Sequence, residues 1–195
     1  MGGRVWRPAV RQGAAFVAVL AVTAAILHAM GRSWVCGGGE PWYPWSGDIW
    51  SRHNSQHLFD PYAATHVLHG ILLYAGLWLA LGSRTSRGAR LWIAIAIEAA
   101  WEVIENTPMV IDRYRETTLA LGYSGDSVIN SLADILSLVA GYWLAAWLPV
   151  WASAAVFVAV EAVLLVTIRD SLVLNVIQLL TPFEALKEWQ MGGRP

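Results

Sequence analysis

Charge is scarce in this chain. Of its 195 residues only 14% are Asp, Glu, Lys or Arg, while 56% are hydrophobic. Soluble domains carry about 25% charged residues, so the balance points to an integral membrane protein. A formal net charge of −1 argues against nucleic acid as a partner, which calls for a basic patch. Cysteine is almost missing: the single Cys36 excludes an intramolecular disulfide and any cysteine-based zinc cluster. The sequence contains no H-E-x-x-H, no G-x-S-x-G, no P-loop and no dinucleotide fingerprint. Membrane-enzyme chemistries with short signatures therefore find no support. Internal repeats and low-complexity segments are absent too.

Tryptophan and long apolar runs are plentiful. Twelve Trp residues suit a protein with extensive membrane–water interfaces. The apolar runs predict an all-α polytopic transmembrane bundle, one integral membrane domain over 1–195. Its spans fall at about 13–30, 65–81, 91–111, 127–148 and 150–168. The first run follows Arg4, Arg7 and Arg11 with no acid among them. We read it as an uncleaved span; the alternative is a signal peptide, for which Leu27-His28-Ala29 is a poor cleavage site. Residues 31–62 form a loop, with Gly37-Gly38-Gly39, Pro41 and Pro44 as breakers. Trp34, Trp42, Trp45 and Trp50 lay that loop on the membrane surface. The tail 171–190 is apolar but interrupted by Asn175, Gln178 and Pro182. It reads as an interfacial helix anchored by Trp189, or alternatively as a Pro-kinked sixth span.

Arginine sets the orientation. The N-terminal segment and the loop 82–90, with Arg84, Arg87 and Arg90, are basic and free of acids, which assigns both to the cytoplasm. The Trp-rich loop, the 112–125 connection and Arg169-Asp170 then face outward. His66 and His69 open span two on that outer side, and Glu102, Glu105 and Asn106 close span three there. Asp126 and Asn130 begin span four. At 1.5 Å per residue, Asp134 lies about 12 Å below Asp126 and Glu98 about 10 Å below Glu105. His28 also sits at the outer end of its span. Polar groups of four helices thus gather in the outer leaflet, while the inner halves are almost purely apolar.

Three motifs make up this gathering. Glu98, Glu102 and Glu105 fall within roughly 60° on one helix face. Each ionised acid at mid-membrane costs about 2.5–3.5 kcal/mol on insertion scales, so this stripe must face protein or water. The bland reading is neutral acids that tie helices together, with Glu105 and Asn106 capping the helix end. Asp126, Asn130 and Asp134 form an i, i+4, i+8 stripe continued by Ser137. Asp126 is explicable as an N-cap or first-turn acid; Asp134, two turns deeper, is not. His66-x-x-His69 suits metal ligation or a donor–base pair, or else a helix cap, and Gly70 behind it admits a close helix neighbour. Arg169 is either a counter-charge for the acids or a contact for lipid phosphates. His53, His57 and Asp60 either fold over the site or are merely solvated, and Glu161 has no evident mate.

Taken together, Glu102, Glu105, Asp134, His66 and His69 are the expected acid/base groups. The same five with Asp126 and Asn130 are candidate ligands for a divalent cation. Oxygen with imidazole suits Mn, Fe or Zn, and oxygen alone suits Mg or Ca. The expected function is an envelope enzyme acting on a lipid or lipid-linked substrate. An ion-coupled transporter is the alternative, although the apolar inner half opposes it because a through-path wants polar groups at several depths. A structural or assembly factor, whose polar stripe only specifies packing, is the third.

Ser51-Arg-His-Asn-Ser-Gln-His57, Thr65-His-Val-Leu-His-Gly70, Trp101-Glu-Val-Ile-Glu-Asn106, Tyr123-Ser-Gly-Asp-Ser-Val-Ile-Asn-Ser131 with Asp134, and Arg169-Asp170 with Leu174-Asn175 carry a resemblance. Together they resemble a family of bacterial multi-pass inner-membrane proteins, uncharacterised protein family 0314 with domain of unknown function 2585. The resemblance covers nearly the whole chain. It implies the bacterial inner membrane and brings no activity with it. Spans three and four also look distantly like small membrane proteins with a Glu-rich helix followed by an Asp/Asn-rich one, including a teicoplanin-resistance-associated family. The charge topology is checked by reporter fusions at Arg87 and Thr118, which should report opposite sides of the membrane.

Overall fold

The computed structural model describes residues 3–37, 41–118 and 122–192; Gly38 and Gly39 of the glycine run, and the side chains of Arg4 and Arg7, lie outside the described residues. Those residues form eight α-helices and no strand: α1 Gly3–Ala29, α2 Ala63–Leu81, α3 Arg87–Glu105, α4 Pro108–Thr117, α5 Val128–Trp147, α6 Val150–Ile168, α7 Leu172–Leu180 and α8 Glu184–Met191. Four helical stretches, Val10–Ala29, Ala63–Arg84, Val128–Trp147 and Val150–Ile168, are long and apolar enough to cross a membrane. The chain therefore has the build of a helical membrane protein. Trp147, Val150 and Val166 are three-quarters or more exposed, a surface suited to lipid and costly in water.

The expected third span is shorter than the apolar run that suggested it. The helix stops at Glu105, and a separate helix, α4, starts at Pro108. Proline disfavours helical geometry in the residue before it and suits the first turn of a new helix. Thr107 accordingly takes an extended conformation. Residues 106–111 thus leave the axis of α3 instead of prolonging it. The tail is likewise two pieces, α7 and α8, of nine and eight residues, parted at Thr181 and Pro182. Neither reaches the ~20 residues that a span requires.

The most extensive helix contact is between α2 and α5. Gly70 abuts the backbone of Leu138, Gly141 and Tyr142, while Gly141 abuts the backbone at Val67. A Cβ on either glycine would overlap main-chain atoms, so small residues allow the crossing. Beside it, Ala94 and Ile95 of α3 pack with Ile135, Leu138 and Tyr142 of α5. α1 closes this side: Ala24 and Leu27 bury against Val128. At the Arg-rich end, Arg90 is buried and donates to the carbonyls of Gly82 (2.5 Å) and Thr85 (2.7 Å). It satisfies chain leaving the C-terminus of α2, where a cation suits the helix dipole.

Serines cap three helices: Ser86 accepts from Ala89 N, Ser127 from Asn130 N and Ser171 from Leu174 N. Asp126, explicable from sequence as a cap, is therefore released for other contacts. Glu161, mateless in the sequence, is buried in α6 and accepts from the backbone N–H groups of Leu172 (3.0 Å) and Val173 (3.2 Å). It occupies the positive end of α7, satisfying donors that the helix leaves unpaired.

Candidate functional site

The polar residues of α2, α3 and α5 meet at one level, next to the end of α3. His66 is buried, with Nδ1 2.5 Å from Glu98 Oε1 and 3.4 Å from Glu102 Oε1, and with Nε2 3.8 Å from Asp134 Oδ2. His69 Nδ1 lies 3.2 Å from both oxygens of Glu98. One carboxylate thus holds two imidazoles, whose centroids are 4.9 Å apart and edge-to-face. The sequence expectation set Glu98 apart as a deeper group. The structure joins it to the histidines directly, because residues three apart on a helix lie on one face and both imidazoles reach the same carboxylate.

The outer wall is built on Asn106. Its amide donates to Glu102 O (2.9 Å), Asp126 Oδ2 (3.1 Å) and Ser131 Oγ (3.4 Å), while its own oxygen accepts from Asp126 N (2.8 Å). Asn106 therefore caps α3 and ties it to the start of α5. Gly125, at φ +90°, brings the chain within reach of this amide, and a Cβ there would strike Asn106 Oδ1. Tyr123 OH donates to Asp126 Oδ1 at 2.8 Å. Burial pushes the Asp126 carboxyl up to about 6, against the pull of these donors. Tyr114 of α4 hydrogen-bonds to Glu105, and burial together with that carboxylate holds its phenol well above the usual tyrosine range.

Several buried oxygens in this cluster lack a partner. Both carboxylate oxygens of Glu102, Oε2 of Glu105 and Oδ1 of Asp134 accept no hydrogen bond from any described residue, and Asn130 Nδ2 donates none. A buried charged group without partners costs several kcal/mol, so protons or a cation must balance these oxygens. Three sets place their ligand atoms within 4.8 Å of one another: His66, His69 and Glu98; His66, Glu102 and Asp134; and Glu102, Glu105 and Asp126. The last two share Glu102.

A cavity of about 100 Å³ opens beside the cluster, large enough to admit water. His66, His69, Glu105, Asp126 and Asp134 line it together with Trp101, Tyr62, Tyr114 and Asn175. Of the expected residues, Glu102 and Asn130 are buried behind this wall instead of on it. Tyr114 and Asn175 were not foreseen as site residues. Tyr114 sits on the helix that the continuous third span obscured, and Asn175 lies in the tail.

A second layer seals the outer end. Asp60 accepts from Ser55 N (3.0 Å), Tyr62 N (2.7 Å) and Ala63 N (3.3 Å) at the start of α2; burial raises its carboxyl above the ordinary range. Asp170 accepts from Tyr62 OH, Asn175 Nδ2 and Gln190 Nε2, and so pins α7 and α8 over the cavity. Arg169 pairs with no acid among the described residues: it donates to Trp189 O (3.1 Å) and stacks over the Trp189 ring. His53 and His57 do not fold over the site. They pair with each other at 3.0 Å and, through His53, with Cys36 at 3.5 Å. A single cysteine had been set aside in the sequence, where only multi-cysteine patterns carry a spacing signal.

A family model described as a protein of unknown function (DUF2585) matches residues 27–192. The chain belongs to this family. Its relatives, each named a UPF0314 protein, include one from Paracoccus denitrificans, 47% identical over 172 residues and 88% of both chains. One from Sphingopyxis alaskensis is 46% identical over 180 residues, 90% of this chain and 93% of its own. One from Rhizobium meliloti is 44% identical over 182 residues, 91% and 89% respectively. No solved structure matches the chain. Neither the family's description nor the relatives' names give an activity, so any activity has to be argued from the site.

Asp170 provides a pH test of the outer seal. Burial raises its carboxyl to about 6 from 3.8 in the free side chain, on the order of 3 kcal/mol at 1.36 kcal/mol per pH unit. The native protein holds this proton more tightly than the unfolded chain. The contribution is therefore fully present below about pH 4 and is lost as pH rises through about 6. Thermal unfolding in detergent should show the wild type losing Tm relative to Asp170→Asn between pH 4 and pH 7. A difference independent of pH would refute this assignment.

Proposed function

We propose that this protein is a five-span inner-membrane enzyme, N-terminus in the cytoplasm, that acts on the head group of a lipid or lipid-linked substrate in the outer leaflet. α3 is the fifth spanning helix in this reading. Its acids turn toward α2 and α5, while Ile93, Ile97 and Ile104 remain more than a third exposed, as a lipid-facing side would be. The packing of Leu27 into the bundle favours a retained first helix over a cleaved leader. α7 and α8 are an interfacial cap rather than a sixth span, given their lengths.

The observation that carries the catalytic reading is the set of partnerless buried carboxylate oxygens on Glu102, Glu105 and Asp134. A purely structural stripe would have evolved donors for them, since unsatisfied buried acids destabilise. A divalent cation held by Glu102, Asp134 and His66, with Glu105 and Asp126 beside it, supplies the missing positive charge. Such an ion would polarise a head-group oxygen or lower the pKa of a bound water. Glu98 fits a supporting role: by accepting from Nδ1 of His66 it leaves Nε2 on the Asp134 side, as carboxylates do behind metal-bound imidazoles. His69, held by the same carboxylate and half-open to the cavity, is the acid/base group. Trp101, Leu172, Val176 and Leu179 give the cavity an apolar margin that suits a lipid-borne substrate.

Glu102→Gln and Asp134→Asn test the reading. Both proteins should accumulate in the membrane, yet each should lose activity by at least about 100-fold, because each removes a ligand of the cation that would polarise the substrate. The readouts are complementation of a deletion strain and comparison of its envelope lipids with the parent. Full complementation by both variants would remove the catalytic reading. Failure of both to accumulate would assign the stripe to packing instead.

A further inference from the structure

Outside the acid cluster, one group of side chains combines sulfur and imidazole. We propose that Cys36, His53 and His57 form a second metal site, for a soft or borderline ion of the Zn(II) or Cu(I) class. Cys36 Sγ lies 3.5 Å from His53 Nδ1, and His53 Nδ1 lies 3.0 Å from His57 Nε2. All three ligand atoms fall within 4.8 Å of one another. Tetrahedral zinc with bonds of about 2.3 Å to sulfur and 2.05 Å to nitrogen spaces its ligands by roughly 3.6 Å (S···N) and 3.3 Å (N···N). The two edges at His53 are close to those of that triangle, and the third lies within 4.8 Å. Thiolate with two imidazoles is a donor set for zinc or copper and a poor one for magnesium or calcium. Three protein ligands also leave a fourth position for water or a delivered ligand.

The site is built into a pinned loop. Ser33 O and Trp34 O accept from Val128 N and Ile129 N, fixing the chain just ahead of Cys36 to the start of α5. Ser55, between the histidines, has φ 57°, a left-handed value that turns the chain back and stacks the two rings with centroids 5.2 Å apart. Ser55 is held by Asp60 Oδ2 and by Ser127 N, and Gln56 Nε2 donates to Gly125 O. His57 is fully buried and Cys36 nearly so, whereas His53 is half-buried and gives an entry path. Burial and the neighbouring His53 also hold the His57 imidazole below its ordinary pKa, which favours the neutral ligand form.

Without an ion the same atoms make a hydrogen-bond chain. Tyr43 N donates to His57 Nδ1 at 3.1 Å, which places the His57 proton on Nε2, where it donates to His53 Nδ1. Metal entry at Nε2 moves the ring hydrogen to Nδ1 and releases the Cys36 thiol proton to solvent, and the Tyr43 N–H that faces Nδ1 turns away.

The test uses the full chain in detergent, stripped with chelator, reduced with a phosphine and titrated separately with Zn(II), Cu(I) and Co(II). Cu(I), which an oxygen-rich cluster does not favour, should bind with one equivalent, and Zn(II) should bind with one equivalent at this site beyond any held by the acid cluster. Cys36→Ser and His53→Gln should each weaken that binding by at least about 100-fold, the upper end of what outer-shell changes do to metal affinity, while Glu102→Gln leaves it in place. The Co(II) form should show a thiolate-to-metal charge-transfer band that Cys36→Ser abolishes. Size-exclusion profiles check folding; if Cys36→Ser aggregates, the wild-type cobalt band and the His53→Gln titration decide. Absence of the thiolate band, or equal affinity in wild type and His53→Gln, overturns the proposal. Loss of Zn(II) in Glu102→Gln alone does so too, and transfers the metal to the acid cluster.

Discussion

The contact of His66 with Glu98 and Glu102 is the constraint on which the rest of the bundle depends. It brings one ionisable group of α2 against two of α3, with Asp134 of α5 3.8 Å away. Charges within an apolar bundle persist only where they face one another or an ion, so these three helices are bound to one rotational setting. The glycine crossing of α2 on α5 supplies the distance, and the His–Glu contacts supply the register. Turning α3 or α5 by one residue, about 100°, would take their carboxylates out of this contact, and turning α2 would take away His66 and His69. The partnerless oxygens of Glu102, Glu105 and Asp134 then mark where the balance is incomplete.

Around this centre the outer end is closed by polar devices of a different kind. Asp60 and Asp170 hold chain termini and neighbouring helices by accepting from several donors each, and Glu161 seats α7 by its backbone. These acids have their bonds filled. The contrast separates two populations of buried carboxylate in one small protein: those that fasten segments, and those beside the cavity with oxygens that accept no hydrogen bond. Only the second group calls for a ligand.

The helical class and the clustering of acids were legible because both follow from periodicity and from the arginine asymmetry of loops. Glu98, Glu102, Asp134 and His66 could be assigned to facing helix sides by angle alone. Periodicity carries no information on what lies across an interface, and so Glu98 was set apart from the two histidines it holds. The break after Glu105 was visible in principle at Pro108, yet apolar Met109 to Ile111 masked it. Glu161 and Arg169 escaped for a common reason: each satisfies backbone groups of a segment distant in sequence, and such groups leave no residue signature. Cys36, His53 and His57 come together only through the left-handed turn at Ser55, which no helix or strand period would reveal.

The central claim is that the open carboxylates of α3 and α5 hold a divalent cation beside the imidazole of His66. It is tested most directly by anomalous scattering from Mn(II)-loaded crystals of the full chain. The account predicts a manganese peak within bonding distance of Glu102 and Asp134, absent from crystals of Glu102→Gln. A wild-type map with no peak there, and hydrogen-bonded protonated carboxyls in its place, would contradict it.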